Sequence, residues 1–527
     1  MKNYHVLLII LLIAFLVRAT FIGTYFTGDA IDTVGPARNY VEIGRAAVSA
    51  TNISENATFG YIDDGLYFNF THPPMRVVLY SLWASIFGFS NVIMILLPII
   101  FGLLSIVFIY LIGKELYSER VGLIAAALAA VIRYHFYGSV IGFGDNFLMF
   151  TVTASIYFFY MYLKTTKIIY ILPFLVFTVL GFLTKLSVVT TIPIFVVMAF
   201  LYKDKIKLTR SILVIILVTI ISFVFIYFSY PITEKFTGIS NNKFNFFDSY
   251  IGTFFAATNG YQDIIYEKVF YILSYSWQFT PFFAALIILS IVRLKRDKRY
   301  YALVSWLVIT FLIGFASGGQ DFQRLMIIAI TPGVLLVAKY VSDLNFFKKD
   351  LKFIVLSGII VFVLAQLTGL NDLSPTYVLW LTCAFFLLAA ILMVMPKNKQ
   401  ILLGTSIGLS LFFLIGTNFL VNINSSAVQQ LTNEVKERNY PYYDLWTYRD
   451  ISMYLAPEGK SSFLQRPSLN KDFISKNNVT YIAFYSIYKE NDIINISSLC
   501  EDKPFFAVVN NRNVGLVCKI DMNKIKI

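Results

Sequence analysis

The sequence predicts an α-helical polytopic membrane protein of about thirteen spans, followed by a small α/β domain. Three observations carry that expectation. The 527 residues are 58% hydrophobic and only 14% charged, where ordinary globular domains carry about 25% charged residues. The apolar residues are gathered into runs of the roughly 20 residues that a helix needs to cross a hydrocarbon layer about 30 Å thick. The basic residues form short clusters between those runs, as the positive-inside rule requires. Aromatic residues, at 17%, suit lipid-facing helices and interfacial belts.

Taken in order, the first run, Val6 to Gly23, is too long for the apolar core of a cleaved signal and lacks a small-residue cleavage site, so it reads as a retained span. A polar outer loop covers 24–74. The apolar stretch 75–88 is bounded by Pro73-Pro74 and Gly88, too short to span, and reads as an interfacial or re-entrant helix. Spans follow at 91–113, 121–139, 146–163, 168–183, 187–202, 211–230, 269–291, 301–317, 325–341, 353–370, 377–395 and 401–421. The pair 168–183 and 187–202 is short in each half. Residues 1–421 thus form a transmembrane domain. Residues 422–527 read as an extracytoplasmic α/β domain, with a helical stretch from Ala427 to Leu455 and β-like runs at 479–488 and 505–511.

Charge gives the orientation. With a cytoplasmic N-terminus, the inner loops hold Lys114, Arg120, Lys164, Lys167 and the clusters at 203–210, 293–299, 347–352 and 396–399. The alternate loops are longer yet poorer in Lys and Arg. All six Asn-x-Ser/Thr sequons, at Asn52, Asn56, Asn69, Asn424, Asn478 and Asn495, then fall outside. The net charge of +13 follows from this topology and does not indicate nucleic acid. Three cysteines without a CxxC exclude a cysteine zinc site. Cys500 and Cys518 could pair if the tail faces an oxidising compartment, or stay free. The Ile/Lys/Phe/Tyr-rich composition suggests an AT-rich prokaryotic genome and hence the cell membrane of a prokaryote, an archaeon in particular.

Ionisable residues near a membrane interior are functional candidates. Asp29, in YFTGDAID, stands at a membrane boundary as a general base or metal ligand, or else as a helix cap. His72, in THPPM (71–75), is held before two prolines that restrict the backbone, which is also a plain helix-start signal. The segment RYHFYGSVIGFGDNF (133–147) reads as an outer connection carrying Arg133, His135 and Asp145, with glycines that let backbone approach a ligand. Lys185 interrupts two apolar runs, either facing a lipid phosphate or snorkelling to headgroups. Arg324 stands similarly beside Asp321. Topology puts Asp29, His72, Asp145, Lys185 and Arg324 on one side of the membrane.

That pattern resembles the GT-C class of membrane glycosyltransferases, in particular the group of protein O-mannosyltransferases and aminoarabinose transferases of lipid A. The acidic motif after the first span matches at Asp29, the His-Pro-Pro-Leu motif at THPPM (71–75), the Asp between the third and fourth spans at Asp145, and a Gly-x-x-x-x-Thr-Lys-like motif at GFLTK (181–185). QRLMIIAITPGVLLVA (323–338) is similar to a later Arg-Tyr-x-Leu-x-x-x-Pro span, with Leu325 in place of Tyr. The chain departs from the group in Asp29-Ala30, where Asp-Glu is usual, and in Met75 for Leu. The Trp-Trp-Asp-Tyr-Gly tail motif of oligosaccharyltransferases is absent from the sequence, against transfer of a preassembled glycan to asparagine.

The resemblance implies a GT-C-like fold and transfer of one sugar from a polyprenyl-phosphate donor to an acceptor hydroxyl on a protein, lipid or glycan. It implies Asp29 and Asp145 as catalytic residues and His72, Lys185 and Arg324 as substrate-binding ones, to which Arg133 and His135 of the outer connection are added as substrate-binding candidates, with membrane lipid as a partner. No cofactor is indicated; a divalent metal is possible. The rival readings are a transporter or flippase, against which paired repeats and broken midplane helices are not seen in the sequence, and a membrane scaffold binding partners through its tail.

Overall fold

The computed structural model describes residues 3–24, 31–46, 48–49, 61–63, 66–68, 74–140, 145–203, 206–237, 281–317, 327–344, 399–438, 445–447, 481–485, 497–498, 500–501, 503–509, 512–519 and 521. The expected spans at 353–370 and 377–395 lie outside them.

Helix α1 (Asn3–Ala19) is followed by α2 (Ile31–Ile43) and a small antiparallel sheet of β1 (Val48–Ser49), β2 (Tyr61–Asp63) and β3 (Leu66–Phe68), in the order β1-β3-β2. Helix α3 (Met75–Phe87) is the expected short helix. It starts after Pro74, where a missing N–H is harmless. It stops at Gly88, whose φ of +82° takes the chain out of the helix. The Ser90 hydroxyl caps α4 (Asn91–Leu116) by accepting from Ile93 N. At 26 residues, α4 is about 39 Å long and crosses a bilayer with length to spare.

Ser118 caps α5 (Glu119–Val131) in the same way. The α4–α5 hairpin closes on bare backbone, because a Cβ on Gly122 would lie 2.5 Å from the Tyr110 carbonyl oxygen. Small residues permit such approach between membrane helices. The expected unbroken span over 121–139 is interrupted. Ile132 is extended, and the chain resumes as α6 (Arg133–Val140) after a 60° bend. A helix end leaves carbonyls without intrahelical donors. One of them, on Ala130, accepts from Arg18, so this carbonyl at the break is satisfied from α1.

Helix α7 (Asp145–Thr165) is buried along nearly its whole length. It packs against α4, against α8 (Ile171–Phe182), and against α9 (Thr191–Leu201). Single 3-10 segments, Ile168–Tyr170 and Leu186–Thr190, precede α8 and α9. Helix α10 (Leu208–Thr237) turns Leu213, Leu217, Ile220 and Phe225 outward, as a lipid-facing helix would. Then follow α11 (Pro281–Arg293), α12 (Lys298–Ser317) and α13 (Ile327–Asp343). The last also packs on α7, where the Thr153 and Thr331 hydroxyls meet at 3.1 Å. Among the described residues α4, α7 and α10 are long and apolar enough to cross a membrane alone, and α5 with α6 could form a fourth, broken span.

Helix α14 (Lys399–Arg438) runs without a break past residue 421. It leads to a four-stranded sheet of β4 (Leu445–Thr447), β5 (Tyr481–Tyr485), β6 (Phe505–Val509) and β7 (Arg512–Lys519), in the order β4-β5-β7-β6. The Gln430 side chain both donates to Val508 O and accepts from Val508 N. It thereby occupies backbone groups that strand β6, at the sheet edge, would otherwise leave open. Cys500 and Cys518 form a disulfide.

Candidate functional site

The site is built at the end of the bundle where α7 begins. Helix α8 has 12 residues after a 3-residue 3-10 turn, a rise of about 24 Å against a hydrocarbon thickness of about 30 Å. Its end lies beside the start of α7. There the chain turns over Gly181, whose carbonyl accepts from Thr184 N and Lys185 N. Lys185 is extended, between α8 and the next 3-10 segment. Its Nζ lies 3.5 Å from Asp145 Oδ1, and the two side chains are 11% and 6% exposed. Asp145 is the first residue of α7, where the helix dipole favours a carboxylate. Met75 N donates to Leu183 O, and Met75 packs against Phe147, Phe150 and Ala154. Three separated motifs, at the start of α3, at the start of α7 and at 181–185, therefore converge.

Arg133 and His135 do not lie in an open loop; they belong to α6. His135 is fully buried. Its Nδ1 is 2.9 Å from Arg18 Nη2 and its Nε2 is 2.7 Å from Ser105 Oγ. A guanidinium can only donate, so Nδ1 accepts, the ring is neutral, and the proton is on Nε2. Ser105 accepts that proton's hydrogen bond and donates its own to Gly102 O. Arg18, also fully buried, further donates to Ala14 O at 2.9 Å and Ala130 O at 3.2 Å, and its guanidinium stands over the Phe136 ring. The sequence reading missed Arg18. The available signal was an arginine inside the first apolar run.

The polar layer continues toward Asp145. Ser139 Oγ donates to His135 O at 2.7 Å and accepts from Asn146 Nδ2. Asn146 neighbours Asp145 in the first turn of α7. The contact is close enough that two glycines are needed. A Cβ on Gly102 would stand 2.4 Å from Ser139 Oγ, and one on Gly138 would stand 2.6 Å from Asn146 Oδ1. The expectation that Gly138 serves ligand approach thus has a packing counterpart.

Asp29, His72 and Arg324 lie outside the described residues. Among the described residues no three His, Cys, Asp or Glu side chains gather as a metal would need. Chemically, the pair sets a buried ammonium, which suits an anion, beside a carboxylate, which suits a hydroxyl, where α3, α7 and α8 meet.

Residues 71–230 match the sequence profile of the dolichyl-phosphate-mannose-protein mannosyltransferases. That segment holds the His-Pro-Pro motif, Asp145 and Lys185. The fold is similar to that of ArnT from Cupriavidus metallidurans bound to undecaprenyl phosphate, with a TM-score of 0.55 and 14% identity over 97% of each chain. Against the apo state of the same protein the TM-score is 0.56 with 12% identity over 97% of each chain. A looser likeness, with a TM-score of 0.49 and 15% identity over 93% of this chain and 70% of the other, is to the archaeal oligosaccharyltransferase AglB from Archaeoglobus fulgidus in complex with an inhibitory peptide and a dolichol-phosphate. No curated protein matches this chain by sequence. The segment 71–230 thus matches the mannosyltransferase profile, and the fold as a whole is similar to that of ArnT.

Proposed function

We propose that this protein transfers a single sugar from a polyprenyl-phosphate donor to an acceptor hydroxyl on the outer face of the membrane. The observation that carries the reading is the buried Lys185–Asp145 pair. A buried ion pair costs desolvation that a surface pair avoids. A donor with an anionic phosphate and a long apolar tail explains why a cation should wait there. ArnT, of the same fold, binds undecaprenyl phosphate. Lys185 holds the donor phosphate, with His72, Arg133 and Arg324 as further binding residues. The acceptor oxygen attacks the anomeric carbon with inversion as the bond from that carbon to the phosphate oxygen breaks. Lipid phosphate leaves with the bonding electrons, and the acceptor's proton passes to Asp29. Asp145 orients sugar or acceptor hydroxyls, and His135 acts by holding its helix. Phosphate is a good leaving group, so a strong general acid or a metal is less needed.

The orientation follows from the basic loops: N-terminus inside, tail outside. The Cys500–Cys518 disulfide supports the tail's placement in an oxidising compartment. The test is a membrane assay with a panel of polyprenyl-phosphate sugars, comparing wild type with Asp29→Asn and Lys185→Ala. Release of lipid phosphate by wild type, lost in both variants, is expected. Passage of the lipid across the bilayer with its glycosyl–phosphate bond intact would overturn the reading in favour of a flippase.

A further inference from the structure

We infer that Ser139 and Asn146, braced by Arg18, His135 and Ser105, are positioning residues that aim Asp145 at Lys185. This extends the transferase reading, but its geometric half stands without it. The path is continuous. Arg18 on α1 and Ser105 on α4 hold the two ring nitrogens of His135, so the rotation of α6 is fixed by two other helices. One turn later Ser139 bonds His135 O and takes the Asn146 amide. That side-chain bond staples the end of α6 to the start of α7 across the connection 141–144. Asp145 is the neighbour of the stapled residue, and its carboxylate lies 3.5 Å from Lys185 Nζ. Such a contact is sensitive to tenths of an ångström. Gly102 and Gly138 leave the staple the space it needs. Each member of the path is buried, so solvent does not substitute for a lost partner.

Two readouts on the full-length protein in lipid nanodiscs test the assignment. The first needs no enzymatic activity: the rate at which a small amine-acylating reagent modifies Lys185 at fixed pH, read by mass spectrometry. Asp145→Asn frees the amine of its carboxylate and sets the upper limit. Ser139→Ala is expected to raise the rate several-fold toward that limit, and Ser139→Thr, which keeps the hydroxyl, to restore it. The second is the transfer assay. Ser139→Ala and Asn146→Ala are expected to lower kcat at least tenfold while the donor KM stays within about twofold, since Lys185 still binds phosphate. A purely structural staple would lower the amount of folded protein without that split. Unchanged Lys185 reactivity in Ser139→Ala overturns the positioning role. Lack of transfer by wild type, with the reactivity change present, overturns the transferase reading and leaves the staple standing.

Discussion

Two cations are buried at the same end of the bundle and are kept there in opposite ways. Arg18 is held by neutral groups: two backbone carbonyls, one imidazole nitrogen and an aromatic face. Lys185 faces a carboxylate at 3.5 Å. The first arrangement joins α1, α4, α5 and α6 in one hydrogen-bonded layer. The second pairs opposite charges, and an incoming anion would compete with the carboxylate. The difference separates architecture from chemistry more clearly than burial does, because both groups are ionisable residues inside a membrane protein, and the membrane rule flags both alike.

The comparison is broken most severely at Lys185. Lys185→Met is expected to lower transfer by about 10²–10³, the usual effect of removing one donor to an anionic transition state. It also takes a cation away from the buried Asp145 carboxylate, and breaking a buried pair costs up to about 3–5 kcal/mol. Asp145→Asn added to Lys185→Met should return most of that stability and none of the activity. Melting curves beside transfer rates check both halves. If the double variant regains activity, the pair is architectural like Arg18.

Arg18→Met comes next. It removes a charged donor from two carbonyls and from His135, an expected loss of about 2–4 kcal/mol. Arg18→Lys should recover only part, since one ammonium cannot reach three acceptors held around a planar fork. Gly138→Ala sharpens the contrast with a smaller effect. Its Cβ would press on the Asn146 amide, and overpacking of this kind costs about 1–3 kcal/mol. If the staple is stiff, transfer falls further than melting temperature does. If Asn146 simply rotates away, both stay near wild type.

How far the sequence reveals this depends on which residues one follows. Asp145 and Lys185 are legible because each interrupts an apolar run beside a glycine-bearing motif, and alternating topology puts them at one end. Helix α3 is legible from its bounding prolines and Gly88. The break at Ile132 is not. Hydropathy drops at Arg133, which reads as a loop, whereas the chain folds another eight residues of helix. What makes that helix tolerable is Arg18, which lies 112 residues from Ala130 and 117 from His135 in the chain. Whether an arginine near a span's end snorkels outward or turns in is decided by partners that local pattern does not contain. The same holds for His135: its type suggested a ligand contact, and its two neighbours make it a neutral strut.

The opposite end of the bundle gives the mildest test of the contrast. There the ion pairs are short and partly exposed: Lys164 to Glu115 at 2.8 Å, and Arg299 to Asp297 at 2.5 Å. Partial burial alone would raise the Asp297 carboxyl, but hydrogen bonds from Tyr300 N and the Arg299 side chain outweigh it and hold it below the usual carboxylate range. A depressed carboxyl adds stability above its unfolded value, near pH 4, and loses it as pH falls through the folded value. Wild type should therefore lose more stability than Asp297→Asn on acidification below about pH 4, while at neutral pH the two differ by no more than about 1 kcal/mol. Transfer at neutral pH should be unchanged in Asp297→Asn. A loss there comparable to that of Lys185→Met would mean that the two ends are coupled, and that a short, wet ion pair matters to the chemistry as much as a long, buried one.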